Sequence, residues 1–377
     1  MYFLSAKSAI ICENLRETTI YFMKKVLFLS LISFLTFNAC DNTTVEQENF
    51  NALKKEVLTH FTQNVAVATY TDLDEAAQTL NTTLLALHTS PTEPNLLAAR
   101  TAWKNLRAIW EQSESFLIGP VDEKGYDPNM DTWPTDYVQM DSLLISSNSL
   151  SVSDLENITL SLRGYHPIEY ILFGNHGDRT AASITDRQKA YMVSLSADLS
   201  TTCHNLHQDW IAAPVNYAQT FMTAGEGSTV YTQKQAAYLS LVEGLIGICE
   251  EVGEGKMQEP FDAQDPTIVE SPYSGNSIAD FKNNITGIRN VYMGNYKVAG
   301  KGIKDLVAAK NKALDNKIQA QITAAISSFD NITMYYEQAI IAPGQRVQAQ
   351  QTMDALATLK ITLEEELKPF VIQYITD

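Results

Sequence analysis

The sequence predicts an all-α fold. Apolar residues recur at helical spacing along nearly the whole chain, and no convincing run alternates with period two. Gly and Pro number only 17 and 12 in 377 residues, too few for the many turns of an all-β protein. The length suits two packed domains or one large one.

The helices can be placed in order. Leu53, Val57, Leu58, Phe61, Val65 and Ala68 lie on one face between Asn51 and Tyr70, and Ala76, Ala77, Leu80, Leu84 and Leu87 repeat the pattern over Leu73–Leu87. Pro91 and Pro94 mark a break, and Pro94 can open a helix from about Asn95 to Ile118, which Gly119-Pro120 ends. Further helices are expected near 138–146, 153–162, 166–173, 184–212, 215–223, 232–252, 277–295, 301–307, 310–340 and 346–375. Two long irregular loops remain, 119–137 and 253–276; loops of that length in a helical protein are often functional.

The N-terminus reads as an export signal. Lys24-Lys25 precedes the mostly apolar run Val26–Phe37, which falls short of the about 20 residues that span a bilayer. Asn38-Ala39-Cys40 follows where cleavage falls, as in a bacterial lipobox, with Phe37 where Leu is commonest. A buried core helix is the alternative for the apolar run, but its basic and small-residue flanks fit export. Met23 sits just before the Lys pair and is read as the true start of translation. On this reading residues 1–39 are a signal peptide, Cys40 carries the lipid, and residues 40–50 are a polar tether to the cell envelope. Cleavage removes four basic and two acidic residues and takes the net charge from −17 to −19. So acidic a chain repels phosphate backbones, which excludes nucleic acid as a partner and suits either simple solubility or the gathering of cations. Of four cysteines only Cys203 and Cys249 lie in the body; they either pair in an oxidising compartment or stand as two buried thiols.

Gly164-Tyr165-His166-Pro167-Ile168-Glu169 is the sharpest motif. Pro167 is tolerated in a first helical turn, and His166 and Glu169, three apart, share a face. An imidazole beside a carboxylate is half of a metal site; a core His bonded to a nearby Glu is the plain alternative. Glu111 and Glu114 also share a helix face, and Arg107 either pairs with Glu111 at i, i+4 or holds a site carboxylate. His204 and His207 share a face beside Cys203, as a second metal site or an exposed polar strip, and His176 is either a loop ligand or part of a turn. Trp103, Trp110, Trp133 and Trp210 read as core or rim packing.

The order of several segments resembles the imelysin-like family. Trp103–Pro120, with Arg107 before Glu111 and Glu114, is similar to its first signature, and Asp127–Asp136 to the loop that follows. Gly164–Glu169 matches its Gly-x-His-x-x-Glu motif, and Gly255–Met257, Glu270–Ser274 and Asp280–Ile288 look like later family segments. The resemblance covers about residues 50–375. It implies two helical-bundle halves related by internal duplication, here 51–180 and 181–377, in a bacterial envelope protein linked to iron supply and working with an envelope transport partner. It also implies a metal held by His166 and Glu169, with Glu114, Glu111 and Asp131 as upstream carboxylates and Arg107 and Gly164 supporting them. One nitrogen with several oxygens suits iron, manganese or zinc better than copper(I).

Three functions follow from this. The first is a binder of a metal ion or an iron-containing ligand at a carboxylate-rich cleft. The second is the metallopeptidase for which the family was named, which the absence of His-Glu-x-x-His, of a Gly-x-Ser-x-Gly elbow and of a Walker loop disfavours. The third is a structural protein whose motif knits two helices; an open cleft at His166 and Glu169 separates the first from the third.

Overall fold

A computed structural model describes residues 45–376. The expected signal peptide, the expected start at Met23, the expected lipid attachment at Cys40 and the first residues of the expected tether lie outside the described residues. Residues 45–52 are helical, and Leu53–Asp377 forms one compact unit. Among the described residues there is no strand, only a bridge between Asn295 and Ala299, and no helix is long and apolar enough to cross a membrane.

The helices that carry the argument are α1 (Val67–Thr89), α2 (Glu93–Ser113), α3 (Tyr126–Asp131), α4 (Tyr137–Ile145), α5 (Tyr165–Phe173), α6 (Asp186–Ile211), α7 (Lys234–Glu250), α8 (Ser277–Met293), α9 (Lys312–Ser328) and α10 (Pro343–Thr362). Local chemistry sets their starts. Thr92 caps α2 with Pro94 in its first turn, and Thr185 and Gln188 form a capping box on α6. α1 packs against α2 and α6, α8 lies against α2, α10 packs on both α9 and α7, and α7 also meets the 3-10 turn that follows α2. α2 and α8 come unusually close: a Cβ on Gly287 would lie 2.3 Å from the carbonyl oxygen of Gln112. That approach brings the polar residues of α8 onto the last turn of α2.

Four expectations change. The first two helical patterns meet without a break: a π-helical turn, Phe61–Ala66, runs directly into α1. The 253–276 stretch is not a loop throughout, because Glu251–Met257 continues α7 as a π-helical turn and Gln258–Ala263 is α-helical. Gly253 and Gly255 lower the helix signal locally, but Gly253 packs on Leu356 of α10, and tertiary contact outweighs propensity. Conversely, the 310–340 helix breaks after Ser328, and 153–162 keeps only short turns at Val152–Leu155 and Leu160–Leu162. The 119–137 loop does stand, carrying the short helices Pro120–Glu123 and α3.

Trp103 joins α2 to α5. It has no exposed surface, donates from Nε1 to the Tyr165 carbonyl at 3.1 Å and meets Phe173 edge-on at 5.3 Å. Trp103→Ala is expected to lower unfolding free energy by about 3–5 kcal/mol in urea titration; a loss under about 1 kcal/mol would show that the α2–α5 contact does not organise this region.

Candidate metal centre

Five segments converge on one buried polar cluster. α2 supplies Arg107 and Glu111, and the 3-10 turn after it supplies Glu114. The end of α3 supplies Asp131, α5 supplies His166 and Glu169, the loop before α8 supplies Glu270 and Ser274, and α8 itself supplies Asp280 and Asn284. Gly164 makes the α5 contribution possible. Its φ is +76°, and a Cβ there would lie 1.9 Å from the Met130 carbonyl oxygen. Glycine therefore lets α5 start against the residue preceding Asp131, which places His166 opposite that carboxylate.

Arg107 is the hub. Its guanidinium pairs with Glu111, with Asp131 Oδ1 at 2.5 Å, with Glu270 Oε1 at 3.3 Å and with Asp280 Oδ1 at 3.8 Å, and it lies over the Tyr165 ring. Trp110 Nε1 donates to the other oxygen of Asp131 at 2.6 Å. His166 Nε2 stands 3.0 Å from Asp131 Oδ1, and its Nδ1 is 3.5 Å from Glu169 Oε2. Ser274 donates from its amide and hydroxyl to Glu169 Oε1 at 2.8 and 2.7 Å. Asn284 Nδ2 bridges Glu111 and Glu114 at 2.7 and 2.5 Å, and Asp280 accepts from Ser271 and Asn276.

The two alternatives for Arg107 thus merge: it pairs with Glu111 and also holds the site carboxylates. All five expected ligands, His166, Glu169, Glu111, Glu114 and Asp131, belong to this one cluster. Glu270, Asp280, Asn284, Ser274 and Lys256 had no role from sequence, although each falls within a segment that resembles the family. The expected open cleft is not found. His166 and Glu169 are 0% exposed, so the motif is sealed into the core. The other histidines have local partners. His204 and His207 each place Nδ1 about 3 Å from Asp74 Oδ2, tying α6 to α1, and His176 pairs with Glu337 and stacks on Tyr335. Cys203 and Cys249 are free and buried.

Charge is unbalanced in this cluster. Five carboxyl groups (Glu111, Glu114, Asp131, Glu270, Asp280) pair with the permanent cation Arg107 or the ammonium of Lys256, and a sixth, Glu169, faces His166. Burial and neighbouring carboxylates push Glu114 well above the ordinary range; burial lifts Glu111 and Asp280 too, against the pull of Arg107. Asp131 moves the other way, since Arg107 and His166 outweigh its burial. Half-buried Asp127 is pushed up to about 6 by desolvation and by Asp131 and Glu251. Three groupings bring one ligand atom from each member within 4.8 Å of the others: Asp131–His166–Glu270, Glu111–Glu114–Asp131 and Glu111–Glu270–Asp280. Two buried acceptors in the cluster, Glu270 Oε2 and Asn284 Oδ1, have neither a hydrogen-bond nor an ion-pair partner among the described residues. The donor set, one imidazole with carboxylate oxygens, fits iron, manganese or zinc.

Burial opposes protonation of His166, but the facing carboxylates of Asp131 and Glu169 prevail and push its pKa up to about 9. A folded pKa above the unfolded value of about 6.5 means that this contribution is complete below about pH 6.5. It is lost as the pH rises through about 9. With chelator present, the urea midpoint is expected to fall across that window, and to fall less in His166→Gln. Equal slopes in the two proteins would exclude a charged His166.

Known proteins share this architecture. The profile of the imelysin family matches residues 66–363. "Iron-regulated protein A" of Synechococcus elongatus is 29% identical over 339 residues, covering 89% of this chain and 90% of that protein. Among solved structures, a Parabacteroides distasonis protein provisionally named an iron-regulated protein A precursor aligns with a TM-score of 0.77 at 24% identity, over 86% of this chain and 95% of that one. An imelysin-like protein from Psychrobacter arcticum aligns with a TM-score of 0.69 at 15% identity, over 85% and 96%. At those identities the two structures speak for the fold, which is the same all-helical one. The profile match spans most of the sequence and includes every residue of the buried cluster: the chain belongs to the imelysin family.

Proposed function

We propose that this protein is a lipid-anchored envelope component of iron supply, and that its buried cluster takes a bare divalent metal ion, iron or zinc. The observation that carries the reading is the surplus of buried carboxyl groups over the cations among them, Arg107, Lys256 and His166. Buried anions without counter-charge are costly, and either protons or a metal ion must offset them. Asp131, His166 and Glu270 are the groups best placed to hold the ion, with Glu111 and Glu114 beside them and Ser274 orienting Glu169. The iron-regulated relative agrees in kind. Sealing favours a bare ion over an iron-containing ligand, since a bulky complex has no path to side chains with no exposed surface. The same sealing weighs against a peptidase, whose substrate must reach its catalytic groups. The anchor at Cys40 and a transport partner in the envelope complete the reading; both rest on the export signal and the family resemblance.

The sealed motif also suits the structural alternative, in which protons alone neutralise the cluster. Calorimetry separates the two. Wild-type protein is expected to bind Fe(II), Mn(II) or Zn(II) and to release protons, so that the apparent enthalpy changes with the buffer's ionisation enthalpy. His166→Ala is expected to weaken binding by about tenfold or more. Absence of binding, or binding that the substitution leaves unchanged, refutes the metal reading.

A further inference from the structure

Lys256 differs from the other cation of the cluster. Arg107 is contacted by four carboxylates, has no exposed surface and cannot shed its charge. Lys256 is a compact ammonium on a flexible stem. Its Nζ lies 3.0 Å from Glu270 Oε1, 3.1 Å from Glu114 Oε2 and 3.2 Å from Glu251 Oε1, with Glu111 Oε2 at 3.8 Å. An ammonium ringed by carboxylate oxygens at this range stands where a cation would stand. Two of its partners, Glu114 and Glu270, are the candidate ligands, whereas the Glu251 side chain is 48% exposed. Lys256 therefore bridges the sealed cluster and solvent.

Its backbone setting is irregular. Lys256 sits on the π-helical turn Glu251–Met257, a geometry frequent at functional sites. Beside it, a Cβ built on Gly255 would meet nothing within 4 Å, so the turn borders open space. The cluster also holds the uncommitted acceptors Glu270 Oε2 and Asn284 Oδ1, 2% and 0% exposed by residue, which Lys256 does not satisfy.

Resting on the reading that the cluster takes a divalent ion, we propose that Lys256 is a tethered cation that competes with that ion for Glu114 and Glu270 and swings out past Glu251 as the ion enters. A divalent ion brings twice the charge to the same oxygens, at about 2.0–2.6 Å where the ammonium stands near 3 Å. The displaced ammonium regains its hydration and keeps Glu251 as a partner, so its exit is cheap, whereas Arg107 stays. Monovalent ions lack the charge advantage and do not displace it. The sealed site and access to it then depend on one side chain.

Acetylation of lysines in the folded wild-type chain, read by mass spectrometry, tests this directly. Lys256 is expected to react slowly in chelator and about tenfold faster or more with saturating Zn(II) or Mn(II), while Lys317, which pairs with Glu366 outside the cluster, stays unchanged. Lys256→Met, checked for folding by circular dichroism, is expected to bind the same ions about tenfold more tightly. If calorimetry shows ions bound through His166, yet Lys256 reactivity does not rise, the proposal is overturned and the metal reading stands. If wild-type protein and Lys256→Met both bind no ion, both are overturned. Binding by Lys256→Met alone supports Lys256 as the competitor and refutes uptake by the native site. Should the variant fail to fold, the labelling of wild-type protein decides.

Discussion

Arg107 has no exposed surface, and a guanidinium keeps its proton under all ordinary conditions. A buried permanent charge of this kind must be surrounded by acceptors, and Glu111, Asp131, Glu270 and Asp280 supply them from four segments of the chain. The last turn of α2, the 119–137 loop, the loop before α8 and α8 itself are thereby drawn to one point. The requirement overshoots. Satisfying one guanidinium from several directions gathers more carboxyl groups than it can neutralise, and the remainder is shared among Lys256, His166, protons and any metal ion that reaches the cluster. Burial and neighbouring carboxylates lift Glu114 and Asp280 above their ordinary range despite Lys256 and Arg107, while Arg107 and His166 hold Asp131 below its own.

Such a centre is a poor device for stability alone. Replacing buried ion pairs with packed apolar side chains is often neutral or stabilising, so the polar cluster adds specificity of arrangement more than it adds free energy. Apolar and aromatic packing around it carries the fold: Trp103 and Trp110 on α2, Tyr165 and Phe173 on α5, and the α1–α6 pair beyond. Close approaches at Gly164 and Gly287 then bring α5 and α8 near enough for the cluster to close. A small, strongly coordinated ion suits the resulting space better than a large complex, and the border at Lys256 and Glu251 is where the cluster comes nearest to water.

Much of this was legible from residue pattern. Helical periodicity identified the helices because each must bury one face. Pro94 marked a start because a proline in the first helical turn acts locally. The i, i+4 pairing of Arg107 with Glu111 and the i, i+3 placement of His166 and Glu169 follow from helix geometry alone. The misreadings had a common cause. Gly253 and Gly255 weaken helix propensity, yet contact with Leu356 keeps that segment helical. Lys256, Glu270, Asp280 and Asn284 carry no local signal that separates them from solvated polar residues. Their roles arise only when segments far apart in sequence meet.

The sequence by itself determined the all-helical class, the family and the sharp motif, since each depends on short-range periodicity or on ordered local motifs. Tertiary structure alone decided that the motif is sealed and not an open cleft, that Arg107 serves four carboxylates and not one, and that a lysine completes the ring. The physical reason is that burial and charge compensation are properties of a whole neighbourhood. One buried guanidinium and its surplus of carboxylates can be counted only after five separate segments have been packed around the same point.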